Sequence, residues 1–251
     1  MKDMKLAIIG CFVVVGFAGC NLAFVVQGSG VPSTEDRDIE DFDQIELSGS
    51  GTATVICGAE PALTLTIDDN LMDLISTNVS GSTLELSSQQ NYSTTTGLTF
   101  DISTKTLNSL TISGSGKFDI QDCQSDSLDL RINGSGKVVV SGSAPNVNVN
   151  ISGSGKIDLS QLAAKTADIK IAGSGNVTVN ASEHIDVSIS GSGKIQYIGN
   201  PKIDKRIAGS GKVRQIQSSH DGSQTESQLT VTDDGVESED DASSEDDEEE
   251  D

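Results

Sequence analysis

The regular feature of this chain is an alternation of apolar and polar residues around a repeated tripeptide, Gly-Ser-Gly. From residue 114 onward, the first glycines of successive copies are separated by 20, 19, 20, 18 and 18 residues. Isoleucine stands two residues before that glycine in every copy, at Ile112, Ile132, Ile151, Ile171, Ile189 and Ile207. Mostly aliphatic residues also stand four residues before it and four and six residues after it, and the intervening positions are mostly polar. This period of two predicts a half-buried β-strand on each side of the tripeptide.

The alternation continues through the tripeptide itself, so both glycines fall on the apolar side and the serine falls on the polar side. We predict that the chain bends inward at each corner, where Cβ atoms would collide and only glycine fits. A flexible linker has no reason to keep this alternation. The predicted corner glycines are Gly114, Gly116, Gly134, Gly136, Gly153, Gly155, Gly173, Gly175, Gly191, Gly193, Gly209 and Gly211.

The spacing of the copies indicates a repeat architecture. One copy has too few apolar side chains to enclose a core, whereas stacked copies share backbone ladders and aligned aliphatic rows. The sequence therefore predicts an all-β fold, a parallel β-helix or β-solenoid with 18–20 residues per coil and Gly-Ser-Gly corners. An antiparallel β-sandwich is the alternative, although its turns need not recur at one spacing.

Residues 28–113 form a less regular beginning of the same predicted domain. Gly-Ser-Gly also occurs at 28–30 and 49–51, and Leu47 takes the isoleucine position of the second of these copies. Alternating strands are predicted over 62–67, 83–86 and 98–102, and a capped helical turn over 68–75. We expect this region to cap an open solenoid end, which would otherwise expose unpaired strand edges.

The first 20 residues have the pattern of an export signal. Lys2 and Lys5 precede an apolar run over 6–17, and Ala18-Gly19-Cys20 follows it. This resembles the bacterial lipoprotein signal, which implies a lipid on Cys20 and, because Asn21 follows, an outer-membrane location. An uncleaved anchor over 6–26 and ordinary cleaved secretion are the alternatives, and all three export the body of the protein. Residues 21–27 are predicted to be a short linker.

The charge is concentrated at the other end of the chain. The protein carries a net charge of −22, and residues 217–251 contain fifteen Asp or Glu and no Lys or Arg. Such a segment cannot bury enough apolar surface to fold, so we predict a disordered acidic tail after the domain at 28–216. The acidity also argues against nucleic acid as a partner.

The most plausible binding feature is a basic column three residues after the first glycine of each corner. It consists of Lys117, Lys137, Lys156, Asn176, Lys194 and Lys212. Stacked coils would align these residues into a stripe for an anionic partner, such as an acidic polysaccharide or lipid phosphates, or for the chain's own tail. The simpler interpretation is that the lysines extend into solvent and discourage edge-to-edge association.

Catalytic chemistry is not indicated. His184 and His220 are isolated, and we expect His184 in a turn between coils. Asp119 and Asp158 share a column but skip the coil between them, which would place them about 10 Å apart. No metal or cofactor motif is present, so we predict that the protein is not an enzyme.

Two cysteines fall within the predicted domain. Cys57 and Cys123 have no nearby histidine in the sequence, so they do not indicate a zinc site. A disulfide between them is possible in an oxidising compartment, and the sequence leaves this open.

The opening Phe42-Asp43-Gln44-Ile45-Glu46-Leu47-Ser48-Gly49-Ser50-Gly51 and the tandem Ile-Ser-Gly-Ser-Gly-Lys units resemble the bacterial head GIN domain family, described as auto-transporter adhesins. The likeness covers residues 28–216 and implies an exported β-solenoid without catalytic residues. We therefore expect a membrane-anchored, non-enzymatic adhesin or envelope-surface binding module. A structural envelope lipoprotein without a dedicated ligand is the alternative, and a polysaccharide-processing β-helix enzyme is the third.

Overall fold

The computed structural model describes residues 25–217. Cys20 and the rest of the predicted signal lie outside these residues, as do His220 and the acidic segment from residue 218 onward. A 3-10 helix spans Asp69–Leu74. The strands are β1 (Val26–Gln27), β2 (Pro32–Arg37), β3 (Gln44–Gly49), β4 (Thr52–Cys57), β5 (Ala62–Asp68), β6 (Ile75–Ser80), β7 (Thr83–Ser88), β8 (Tyr92–Ser93), β9 (Thr99–Thr104), β10 (Ser109–Gly114), β11 (Lys117–Gln124), β12 (Ser127–Gly134), β13 (Lys137–Ser143), β14 (Asn146–Gly153), β15 (Lys156–Gly173), β16 (Asn176–Gly191), β17 (Lys194–Ile198), β18 (Lys202–Gly209) and β19 (Lys212–Gln215).

Two parallel ladders run along the repeats, one before each corner and one after it. The first contains β3, β10, β12, β14, the second halves of β15 and β16, and β18. The second contains β4, β11, β13, the first halves of β15 and β16, β17 and β19. A shorter third segment closes the coil, and register shifts there accommodate turns of different length. The predicted parallel β-solenoid is confirmed.

The aliphatic rows form one continuous core. Five of the six repeat isoleucines, from Ile112 to Ile189, are at most 2% exposed and pair with one another in register. Ile207 lies in the last described coil and is 39% exposed, because none of the described residues forms a further coil over it. The core is thus built by stacking coils rather than by folding any one coil.

Both glycines of a corner are required, each for a different steric reason that involves the preceding coil. The first glycine has a φ between +123° and +140°, and an added Cβ would lie 2.1–2.4 Å from the carbonyl oxygen of the preceding first glycine. The second glycine is buried against the preceding coil's aliphatic side chain, as where a Cβ on Gly155 would lie 2.8 Å from Cγ2 of Ile132. The serine between them is exposed, and its N–H donates to that same carbonyl, as Ser154 does to Gly134 at 2.9 Å.

The N-terminal end of the solenoid is closed by the less regular region. β7 and β9 pair in parallel with β3 and β4, so the chain returns beneath its own first corner before it continues into β10. β6 then lies antiparallel to β7, and β5 lies antiparallel to β9 and β2. The tripeptide at 28–30 is not a coil corner but part of the connection between β1 and β2. No helix among residues 25–217 is long and apolar enough to cross a membrane.

The two cysteines of the domain are buried free thiols in neighbouring coils. A bulge at Asp122, whose φ is +56°, precedes Cys123 in β11. The neighbouring Cys123 thiol, together with burial, raises the pKa of Cys57. The sequence alone could not show that these side chains meet.

Gly153→Ala is expected to destabilise the protein by roughly 2 kcal/mol or more. An alanine backbone is strained at this φ, and its Cβ would clash with the carbonyl oxygen of Gly134. Ser154→Ala, at the exposed neighbouring position, should change the free energy of unfolding by less than about 0.5 kcal/mol. Denaturant unfolding followed by circular dichroism measures both variants. Equal effects at the two positions would contradict the proposed constraint.

Candidate functional site

The predicted basic column exists as a stripe along the corners, and we call Lys117, Lys137, Lys156, Lys194 and Lys212 the lysine stripe. Each lysine is the first residue of the strand or strand segment that follows a corner, and Asn176 interrupts the row. The residues pair in register from Lys117 to Lys212. The backbone N–H of each lysine donates to the carbonyl oxygen of the second glycine of the preceding corner at 2.8–3.0 Å. The corner geometry therefore sets the position of every lysine.

All five side chains are exposed, and none forms an ion pair within the described residues. Adjacent coils place neighbouring lysines about 4.8 Å apart at the backbone, where like charges repel mildly. Other basic side chains of the solenoid do have partners, such as Lys170 with Asp168 at 2.9 Å. Within the described part of the chain, the stripe is therefore a positive row without neutralising partners.

The surface on either side of the corner differs in character. Next to the stripe runs a row of exposed serines, Ser115, Ser135, Ser154, Ser174, Ser192 and Ser210. On the strands before the corner, aspartates form ion pairs with nearby basic residues. Oδ2 of Asp129 lies 2.9 Å from Nη2 of Arg131, and Oδ1 of Asp186 lies 3.3 Å from Nη1 of Arg206. Positive charge is thus concentrated at the corner, beside hydroxyl groups that both donate and accept hydrogen bonds.

The residues considered for catalysis do not form a catalytic group. Asp119 and Asp158 both pair with Val139, which separates them as expected. His184 lies within β16 rather than in a turn, because β16 runs without interruption through the closing segment of its coil. Its Nε2 lies 3.5 Å from Asp204, on the charge-paired face. Within residues 25–217, no three His, Cys, Asp or Glu side chains are placed to share a metal ion.

Asp68 is a structural feature that the sequence did not reveal. It precedes the 3-10 helix, where a cap was predicted, but its side chain makes no capping hydrogen bond. The fully buried carboxylate instead accepts hydrogen bonds from the hydroxyls of Thr94, Thr95 and Thr96 and from the N–H of Gly30 at 2.6 Å. Asp68 therefore holds the loop over residues 94–97 against the end of β5.

The hydrogen bond from Thr94, with those from Gly30 and the other two threonines, outweighs burial and lowers the pKa of Asp68 to about 2. This set of donors has no sequence signature, because the antiparallel pairing of β9 with β5 brings the loop beside Asp68.

Comparison with known proteins agrees with this geometry. A family model described as "Putative auto-transporter adhesin, head GIN domain" matches residues 41–201, the first coil and most of the repeats. The chain belongs to the head GIN family. Membership in this adhesin family indicates a protein of the cell surface or envelope, and the sequence predicted an envelope protein.

Solved structures share the head GIN fold. A "putative adhesin" from Bacteroides fragilis is 26% identical, with a TM-score of 0.63 over 76% of this chain and 100% of its own. A second "putative adhesin", from Parabacteroides distasonis, is 20% identical, with a TM-score of 0.57 over 77% of this chain and 100% of its own, and shows likeness of fold alone. No curated protein sequence matches this chain at a significant level.

The low pKa of Asp68 predicts that acid destabilises the N-terminal end of the solenoid. Because the folded pKa is about 2 and the ordinary value is 3.8, the carboxylate contributes stability fully above about pH 4 and loses it as pH falls towards 2. Asp68→Asn should be less stable at pH 7 but should lose less stability between pH 4 and pH 2. Denaturant midpoints of both proteins across this pH range measure the difference, and parallel curves would contradict the role of Asp68.

Proposed function

We propose that this protein is an exported, membrane-anchored, non-enzymatic adhesin whose lysine stripe binds acidic polysaccharide at an envelope surface. The observation that carries the proposal is the in-register row of five exposed lysines, none of which has a carboxylate partner among residues 25–217. An extended anion can follow such a row, because both are linear and repeat their charges.

The energetics favour a polymer over a single anion. An exposed ion pair contributes only about 0–1 kcal/mol, so one lysine would hold a small anion weakly. Several lysines that contact one chain gain avidity without any stronger individual contact. The serine row adds hydrogen-bonding groups along the same line, which suits a ligand with many hydroxyls.

A catalytic role has less support. His184 faces Asp204 on the charge-paired surface, and Asp119 and Asp158 are separated by a coil. A carboxylate pair that cleaves glycosidic bonds needs both groups on one sugar, about 5–9.5 Å apart. These aspartates stand two coils apart, at about 10 Å, which is just beyond that range.

Binding to an acidic polymer tests the stripe. A triple variant, Lys137→Gln with Lys156→Gln and Lys194→Gln, should bind polygalacturonate at low salt about 10-fold or more weakly, because three contacts are lost. The matched control changes Lys165, Lys170 and Lys202 to Gln, which are ion-paired residues, and reaches the same net charge. Titration calorimetry of the full chain compares the variants, with dextran as the neutral polymer.

We expect the control variant to stay within about threefold of the unaltered protein, since its lysines are already neutralised. Equal losses in both triple variants would contradict the stripe and indicate a response to net charge alone. No binding of polygalacturonate to the unaltered protein would contradict the adhesin proposal and favour a structural envelope role.

The membrane anchor is a separate element of the proposal. Ala18-Gly19-Cys20 supports a lipid on Cys20, with the solenoid held at the outer membrane. Expression in a Gram-negative host with labelled palmitate should label the unaltered protein and leave Cys20→Ser unlabelled. Label that persists in Cys20→Ser, or an unlabelled parent protein, would contradict lipidation; the uncleaved anchor or ordinary secretion would then replace it.

A further inference from the structure

A cavity of about 880 Å³ lies at the N-terminal end of the lysine stripe. One side is the first corner, residues 47–52, and the other is the segment over residues 87–100, which connects the end of β7 to the start of β9. Ser115 and Lys117 line its edge, so the cavity opens directly onto the serine row and the first lysine of the stripe. It is thus the place where a polymer lying along the corners would end.

The cavity differs in chemistry from the rest of the protein. Most of its lining side chains are serine, threonine, asparagine or glutamine, and Lys117 is the one charged residue among them. The column that holds lysine along the stripe continues here as Thr52 and Thr99, which are paired in register. The surface therefore changes from cationic to neutral and hydrogen-bonding at the point where it becomes concave.

The segment over residues 87–100 is held in place from several sides. Asp68 binds the three threonines at 94–96, Ser93 accepts from Gly28 at 2.8 Å, and Thr52 donates to Leu98 at 2.9 Å. The strand β8 also pairs with β1. A cavity whose wall is already ordered loses little entropy when it binds a ligand.

We propose that this cavity binds the terminal sugar of an acidic oligosaccharide, with its hydroxyls on the serine, threonine and amide side chains and its acidic group at Lys117. Sugar hydroxyls donate and accept hydrogen bonds, and so do these side chains. A multiply charged phosphate would find only one cation here, and a divalent metal ion would find no carboxylate in the lining. The inference deepens the proposed function, from which it takes the class of ligand.

The mechanism follows from this arrangement. The stripe attracts and aligns an acidic chain through weak, salt-sensitive contacts, and the cavity recognises its end through hydrogen bonds. Because the two surfaces meet at Lys117, one ligand can occupy both. Hydrogen bonds in a concave site are screened less than exposed ion pairs, so end recognition should persist at salt concentrations that weaken the stripe.

The test fills the cavity and leaves the stripe intact. Ser50 extends the serine row to the first corner, where it is exposed and lines the cavity. Ser50→Phe should weaken binding of a short oligogalacturonide about tenfold or more, because several hydrogen bonds are blocked. Ser210→Phe is the matched control, since Ser210 is exposed in the same row at the opposite end of the solenoid. It should stay within about twofold of the unaltered protein.

A second variant removes hydrogen-bonding groups without adding bulk. Gln90 and Asn91 are exposed in the lining, and Gln90→Ala combined with Asn91→Ala should reproduce the loss if Ser50→Phe does not fold. Thermal unfolding identifies a variant that fails to fold. Binding of long polygalacturonate should survive both cavity variants, because the stripe is unchanged.

The possible outcomes separate the cavity from the stripe. Loss of the short oligosaccharide, with the long polymer retained, supports end recognition. If the cavity variants bind the short oligosaccharide as the unaltered protein does, or the unaltered protein does not bind it, the cavity proposal is overturned. The proposed function is overturned by different results: no binding of the long polymer to the unaltered protein, no weakening in the stripe triple variant, or equal weakening in the stripe variant and its control.

Discussion

The structure depends on the close approach of successive coils at the glycine corners. A carbonyl oxygen of one corner accepts from the serine N–H of the next at 2.8–3.0 Å, and it lies where a Cβ on the first glycine would be. Larger residues there would force the coils apart and interrupt both ladders. The aliphatic rows, the backbone ladders and the surface columns all depend on this contact, because each repeats with the same register.

The same corner connects the core to the lysine stripe. Isoleucine two residues before the glycine points into the core, whereas the serine and the lysine that follow point into solvent, since side chains alternate along a strand. A change of register by one residue would exchange the two sets. The stripe is therefore a direct consequence of the packing, and its lysines are aligned by the contacts that stabilise the solenoid.

The irregular N-terminal region adds to this surface what the repeat cannot provide. A repeat alone produces a flat, uniform row, on which a polymer could slide. The return of the chain beneath its first corner brings a second wall beside that row, and the buried carboxylate of Asp68 orders part of this wall. The same return of the chain beneath the first corner thus caps the core and shapes the cavity.

The sequence by itself determined the repeat, the inward and outward faces and the family, because each follows from local alternation and a fixed spacing. It also indicated the lysine stripe, since in-register stacking turns a periodic residue into a column. Only the tertiary structure decided that residues 87–100 line one cavity with Ser50, that Asp68 holds Thr94 instead of capping a helix, and that Cys57 meets Cys123. These contacts join segments about 25 to 65 residues apart through antiparallel pairing and one bulge, and no periodic pattern encodes them. Local alternation specifies which way a side chain points, whereas the path of an irregular chain specifies what it meets.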